Sequence, residues 1–183
     1  MRRLILVSIP LVLIPALLFG PAGCKRRRHG QLQAESADQG FTGPASVIHA
    51  ADARVAPQFL SGFHPVESNA WRWTAGRFAV ALKTPAGARE KGAVLQFKFA
   101  VPDPVINELK SVTLSASVDG TSLPPETYNA AGEQVYTRDV PASALEKDVV
   151  TVQFALDKAL PPRGQDAREL GVVASLIGLE AKP

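Results

Sequence analysis

The chain has 183 residues, 46% of them hydrophobic, which suffices for one domain with a core but not for a TIM barrel or a two-domain enzyme. Charged residues make up 20% of the chain and 15 prolines are present, so neither a coiled coil nor a wholly disordered chain is expected. Six of the 20 basic residues, and no acidic residue, lie among positions 1–28. Positions 29–183 therefore hold 14 basic and 17 acidic residues, a net charge of −3, which argues against nucleic-acid binding.

Positions 1–23 have the pattern of a secretory signal. Two arginines follow Met1, and positions 4–20 then carry no charge and only one polar residue, Ser8. Two prolines interrupt this run, which is also short for a membrane-spanning helix. Three outcomes fit such a signal: attachment of lipid at the cleavage site, retention as an uncleaved N-terminal anchor, and release of a soluble exported protein.

The end of this segment, Ala22-Gly23-Cys24, resembles the lipobox of bacterial lipoproteins. In that family the signal is cut before the cysteine, and the cysteine thiol takes a diacylglycerol. The resemblance implies that Cys24, the single cysteine of the chain, is the lipid-attachment residue. The basic run at 25–28 would then lie at the lipid headgroups and strengthen attachment to an anionic surface.

Positions 24–44 are predicted to be a flexible tether, since most of them are polar or small and show no sustained periodicity. Positions 45–183 are predicted to form one folded domain. Within it, apolar residues alternate with polar or small ones in five stretches that predict strands: 78–82, 93–101, 112–118, 150–156 and 172–179. Turn-forming residues separate them at 84–87, 102–104, 119–120, 123–125 and 160–164.

A single helical turn is predicted around 105–110, and no strand–helix–strand alternation is present. Asp119-Gly120 predicts a tight hairpin turn. Six to eight short strands with little helix predict an all-β fold, an antiparallel β-sandwich of the jelly-roll or immunoglobulin-like kind.

Short motifs stand at the two ends of the predicted domain. Gly62-Phe63-His64-Pro65-Val66-Glu67 and then Arg72-Trp73 open it, and Asp166-Ala167-Arg168-Glu169-Leu170-Gly171 precedes its last strand. This order resembles sandwich modules found beside bacterial glycosyltransferases and other cell-surface polysaccharide proteins. The resemblance implies a carbohydrate-binding or accessory sandwich and implies no catalytic residues.

Four aromatic residues are candidates for ligand binding. Trp71 and Trp73 are two residues apart, so both side chains point to one face of a strand, where they would form a stacking platform for a sugar ring. Core packing of both rings is the favoured interpretation, because each buries a large apolar surface. Tyr128 and Tyr136 flank a turn and are predicted to be an exposed pair.

Four charged residues, Glu67, Arg72, Asp166 and Arg168, lie in the two motifs. The favoured prediction is a structural ion-pair cluster in which arginines hold carboxylates and join the first strands to the last. The alternative is a polar binding site. His64 is predicted to be structural.

No spacing of His, Cys, Asp or Glu resembles a zinc site, and neither a Walker loop nor a hydrolase elbow is present, so no metal, cofactor or catalysis is predicted. We expect a lipid-anchored, non-catalytic accessory or binding module on the cell membrane or outer membrane, facing the periplasm or exterior and contacting a glycan or an envelope protein. The alternative is a structural assembly lipoprotein that binds a protein through a sheet edge or apolar patch. A small hydrolase is a third, less favoured hypothesis.

Overall fold

The computed structural model describes residues 43–183. The predicted signal with Cys24, and the predicted tether up to position 42, lie outside the described residues. Strands in the described part are β1 Val47–His49, β2 Phe59–Glu67, β3 Trp71–Lys83, β4 Ala93–Val101, β5 Val112–Val118, β6 Thr121–Tyr128, β7 Gly132–Val140, β8 Val149–Leu156 and β9 Val173–Ala181. Helices are α1 Ala88–Lys91, α2 Asp103–Leu109 and the 3-10 turns Ala53–Gln58 and Ala142–Ala144. None of the helices between residues 43 and 183 has the length and hydrophobicity needed to cross a bilayer.

The strands form two antiparallel sheets joined through β3. The first sheet has the order β2-β3-β8-β5-β6, and the second has the order β1-β9-β4-β7. Residues 77–83 of β3 pair with β8, whereas Arg72 and Trp73 pair with β9. Strands β6 and β7 follow each other in the chain and lie at the far edges of the two sheets, so the connection between them crosses from one sheet to the other. The predicted antiparallel β-sandwich is therefore confirmed.

Residues at every second position of the central strands fill the space between the sheets. In β4 the alternate residues from Ala93 to Val101 are fully buried, and β5 and β8 show the same period of two. The ring of Phe78 in the first sheet stacks on Phe154 at 5.0 Å and contacts Phe97 of the second sheet at 5.7 Å. Removal of apolar surface from water, at about 25 cal/mol per Å², is the main force that holds the sheets together.

Most predicted elements are where the pattern placed them. The predicted strands 93–101 and 112–118 coincide with β4 and β5, and the predicted helical turn around 105–110 overlaps α2. Asp119 and Gly120 both have positive φ, as a type I′ hairpin turn requires.

The break expected at 123–125 is wrong, because Pro124 and Pro125 lie inside β6. Strand β6 is an edge strand that pairs only with β5, and its register shifts between Leu114 and Ala116 of that partner. An edge strand with such an irregularity tolerates residues that lack a backbone N–H.

Gly62 allows β2 to cross closely over β3. Its φ is +72°, and a Cβ atom there would collide with the carbonyl oxygen of Arg77 and come within 2.7 Å of the Cα of Phe78. Both of these atoms belong to the backbone of β3, so they cannot move away as the end of a flexible side chain could. The first glycine of the opening motif is therefore required by the packing of two strands.

Replacing Gly62 with Ala should lower the free energy of unfolding by roughly 3 kcal/mol, because the left-handed φ and the collision both add cost. Gly87→Ala is the matched control, since Gly87 has φ +81° with no atom within 4 Å of the added carbon. We expect about 1 kcal/mol for the control, from the backbone conformation alone. Urea denaturation of both variants measures the difference, and equal losses would contradict the packing explanation.

Candidate functional site

Arg168 connects three of the four charged residues singled out in the motifs. Its Nη1 donates to Glu67 Oε1 at 2.6 Å, and its Nε and Nη2 donate to the two oxygens of Asp166 at 2.9 Å. Glu67 ends β2, whereas Asp166 and Arg168 precede β9, so the bonds join segments 101 residues apart. The structure brings together these three of the four residues of the predicted cluster as ion pairs, and we call them the motif pin.

Hydrogen bonding within the motif pin changes the acidity of its aspartate. The Arg168 side chain, and then its backbone N–H, donate to the Asp166 carboxylate and lower the pKa of that group from 3.8 to about 2. Asp166 raises the pKa of Arg168 in turn. All three side chains are a third or more exposed, so solvent screens their attraction and the pin contributes modestly to stability.

Arg72 does not join the pin, and this part of the prediction is wrong. Its Nε donates to the Ala50 carbonyl at 2.8 Å, its Nη1 donates to the His64 carbonyl at 3.2 Å, and its guanidinium lies 4.9 Å from the ring centre of Phe59. Glu67 pairs with Trp71 in the β2–β3 ladder, so the next residue along β3 points to the opposite face. Partial burial there lowers the pKa of Arg72.

His64 is held structurally, as predicted. Its Nε2 donates to the Glu169 carbonyl at 2.8 Å, a bond that again links β2 to the segment before β9. The segment is thus attached to β2 both by the motif pin and by this histidine.

Trp71 and Trp73 are both partly buried on β3. Trp73 packs against the core, which agrees with the favoured interpretation for that ring. Trp71 lies opposite Glu67, and its side chain makes neither a hydrogen bond nor a ring contact with the described part of the chain. Its role in ligand binding stays a prediction.

Tyr128 and Tyr136 are buried rather than exposed, so the prediction of an exposed pair is wrong. Tyr136 is 0% exposed and its hydroxyl donates to the Pro124 carbonyl at 2.8 Å, while the Tyr128 ring meets Phe99 edge-on at 5.1 Å. Burial raises the pKa of both phenols. The reason is that both rings lie on the core side of their strands, β6 and β7, where they offer no face to a ligand in solvent.

A cleft that sequence reasoning did not predict crosses the solvent side of the first sheet. It has a volume of about 380 Å³ and is lined by Ser61, Arg77, Phe78, Ala79, Ser115, Ala116, Ser117, Ser122, Leu123, Gln153, Phe154 and Ala155. We call it the outer cleft. Small side chains at outward-facing positions leave the space empty.

Strand register places these small residues in line. Ser122 pairs with Ser117, Ser117 with Gln153, Gln153 with Ala79, and Ala79 with Ser61, so one row runs across all five strands. A neighbouring row contains Ser115, Ala155 and Arg77. The only available signal in the sequence was the serine and alanine at alternate positions of separate strands.

Most polar side chains of the outer cleft have no partner within residues 43–183. Ser115 Oγ donates to the Ala155 carbonyl at 3.1 Å. The remaining polar side chains on the floor make no hydrogen bond with any other described residue: Ser61, Ser117, Ser122 and Gln153. Phe78 and Phe154 line the cleft but are only 2% exposed, so no aromatic ring is presented for stacking.

Arg77 is the one charged side chain among the residues that line the outer cleft. It also borders a second hollow of about 340 Å³, which we call the side hollow, lined by Gly76, Arg77, Leu156, Asp157, Lys158, Ala159 and Glu169. The outer cleft thus contains no carboxylate, imidazole or thiol. Across residues 43–183, no group of three His, Cys, Asp or Glu side chains is arranged to hold a metal ion.

No protein-family model matches the chain, and no curated protein matches it. Solved structures with a similar strand arrangement include CBM51-2 with INT domains from Clostridium perfringens ZmpB, one of them in complex with GlcNAc. Those two are 15% and 13% identical over 75% of this chain, with TM-scores of 0.32 and 0.33. The chain spans less than a third of their length, 28% and 29%. A CBM4 structure is 10% identical with a TM-score of 0.33, over 79% of this chain and 98% of that one. These similarities are too distant to transfer a function.

Arg168→Ala should lower the midpoint of thermal unfolding near neutral pH by a few degrees, because it removes the motif pin. The pKa of Asp166 is depressed in the folded state, so its contribution is present above pH 3.8 and is lost as the pH falls towards 2. The difference between wild type and variant should therefore shrink over that interval, as measured by calorimetry in a pH series.

Arg89→Ala serves as the control, since it removes a surface arginine whose partner Asp148 is 92% exposed. We expect a smaller shift in its unfolding midpoint. A difference for Arg168→Ala that is the same at pH 2 and pH 6 would show that the pin does not act through its carboxylates.

Proposed function

We propose that this protein is a non-catalytic module of the bacterial cell envelope that binds a glycan in the outer cleft. The observation that carries the proposal is the row across the first sheet, in which four of the five strands contribute a polar side chain without a partner among the described residues and β3 contributes Ala79. A volume of about 380 Å³ lies within the range of small-molecule sites.

The chemistry of the floor suits a ligand rich in hydroxyl groups. Serine hydroxyls both donate and accept hydrogen bonds, and the Gln153 amide offers two donors and an acceptor. These groups are bonded to water in the free protein, and a sugar chain lying along the row can replace that water. Because the cleft is shallow and open, an extended ligand fits it better than a compact ligand does.

The residue types in the outer cleft support binding without chemistry. Hydrolysis of a glycosidic bond in most families needs two carboxyl groups on either side of it, and general acid–base catalysis needs a titratable side chain within reach. The lining offers only serines, one glutamine and one arginine as polar groups.

We propose in addition that Cys24 carries the lipid that holds the module at the membrane, on the basis of the lipobox resemblance and the basic run that follows. Stable attachment by acyl chains needs at least two signals, and a diacylglycerol with adjacent lysine and arginine provides them.

Expression of the full chain in a bacterium, followed by mass spectrometry of the membrane fraction, should find an N-terminus at Cys24 with an added diacylglycerol. Cys24→Ser should abolish the modification. A mature protein that starts at Met1 with an unmodified thiol would contradict the anchor, without bearing on the outer cleft.

The alternative of an assembly protein has one specific observation in its favour. Leu60 is 51% exposed on β2, an edge strand that pairs only with β3. The other large exposed hydrophobic residue in the described part, Val135 at 47%, lies on β7 of the second sheet. A protein partner bound along β2 would be released by Leu60→Lys and unaffected by changes in the outer cleft.

Ser117→Tyr should reduce glycan binding more than tenfold, because the phenol ring would fill the middle of the row. Gln153→Ala should reduce it roughly threefold to tenfold, the effect of losing one or two neutral hydrogen bonds. The measurement is an array of bacterial surface polysaccharides probed with the full chain, kept in a detergent that has no sugar headgroup.

Thr137→Tyr is the matched control, since it places the same ring on the exposed face of β7 in the second sheet. It should bind as wild type does, and thermal melts confirm that each variant is folded. Retention of a glycan by all three variants would locate its site outside the outer cleft, and retention of no glycan by wild type would overturn the proposal.

A further inference from the structure

We infer that the outer cleft selects glycans that carry an oxyanion, such as the carboxylate of a uronic acid, and that Arg77 is the residue that recognises it. This inference rests on the proposed function and names the ligand class of the same site.

Arg77 differs from every other arginine in residues 43–183. Six of the seven arginines there donate to a carboxylate or a backbone carbonyl: Arg54, Arg72, Arg89, Arg138, Arg163 and Arg168. The Arg77 side chain is exposed and makes no hydrogen bond, ion pair or ring contact with the described residues. Its planar guanidinium, with five donors in a fixed fork, is therefore available to a ligand.

The neighbouring carboxylates are already engaged elsewhere. Asp157 Oδ1 accepts from the Thr113 backbone N–H at 2.6 Å, and Glu169 Oε2 accepts from the Gly76 backbone N–H at 3.2 Å. Both line the side hollow, and no carboxylate lines the outer cleft. An anion that enters along the row of serines therefore meets no carboxylate among the residues that line the outer cleft.

The residues across the sheet from Arg77 leave its side chain room. Arg77 pairs with Ala155 on β8, and Ala155 pairs with Ser115 on β5. An alanine beside the arginine cannot cover the guanidinium. A sugar acid bound over Ala155 would reach Arg77 at one end and the Ser115 and Ser117 hydroxyls at the other.

Because the outer cleft exposes no aromatic ring, the positive charge of Arg77 decides which ligands the cleft prefers. A neutral hydrogen bond adds about 0.5–1.5 kcal/mol net, since it replaces a bond to water, whereas a bond to a charged group adds about 1.5–3 kcal/mol. The outer cleft exposes no aromatic ring on which a sugar could stack. Among the interactions that its lining residues can make, a bidentate arginine–oxyanion pair is the strongest.

The test compares binding of the full chain to acidic polysaccharides and to the same polymers after chemical reduction of their carboxylates to hydroxymethyl groups. The probes are polygalacturonate, alginate and hyaluronan, with a sulfated polymer and its desulfated form as a separate arm that distinguishes sulfate from carboxylate. We expect at least one acidic polymer to bind tenfold or more tightly than its neutral derivative, and the affinity to fall with added salt.

Arg77→Gln should remove the preference for acidic over neutral polymers. Arg77→Lys should keep only part of it, because an ammonium group cannot form the bidentate pair. Lys83→Gln is the matched control: it removes one positive charge from the same face of β3, six residues beyond Arg77 and outside the outer cleft. It should bind as wild type does.

Equal binding of acidic and neutral forms, with loss of both in Ser117→Tyr, would overturn the role of Arg77 and leave the glycan proposal standing. Equal losses in Arg77→Gln and Lys83→Gln would show non-specific attraction of polyanions and would also overturn it. Binding of neither form of any polymer counts against both proposals.

Discussion

The branch in β3 is the constraint on which the rest of the structure depends. Near Thr74 the strand changes partner, from β9 on one side of the branch to β8 on the other, and the two sheets separate there. Thr74 is fully buried with its polar groups paired: its N–H donates to Val172, its carbonyl accepts from Gly171, and its hydroxyl accepts from the Val172 N–H. Without these bonds the branch would bury unpaired backbone groups, each at a cost of about 1–3 kcal/mol.

The two motifs of the sequence describe how this branch is built. A side chain at Gly62 would collide with β3, and a Cβ atom at Gly171 would come within 2.8 Å of Leu156, the Thr74 hydroxyl and the Ala75 carbonyl. Arg168, three residues before Gly171, holds the incoming segment against Glu67 at the end of β2. The motifs at the two ends of the domain therefore consist of residues that build the fold. The outer cleft is lined by other residues, which come from all five strands of the first sheet.

The central strands could be predicted because burial between two sheets imposes a period of two on the local sequence, as in 93–101. The burial of Tyr136 could not, because it depends on the pairing of β7 with the distant strand β4 and not on the polar turn before β7. The outer cleft was hidden for a related reason. Ser117 and Ala79 are nearly forty residues apart, and only the register of β5, β8 and β3 places them in one row.

Because the outer cleft exposes no aromatic ring, we expect one copy of the protein to bind its proposed glycan weakly. In the proposed complex each serine would exchange a bond to water for a bond to sugar, so the row would contribute specificity for shape and hydroxyl position more than affinity. The proposed arginine pair would then supply much of the net free energy of binding, and salt would screen it because the cleft is open. With the proposed lipid anchor, many copies would share one surface and a polysaccharide would meet several at once. Effective concentrations under such tethering reach millimolar values, so a weak single site suffices for lasting attachment.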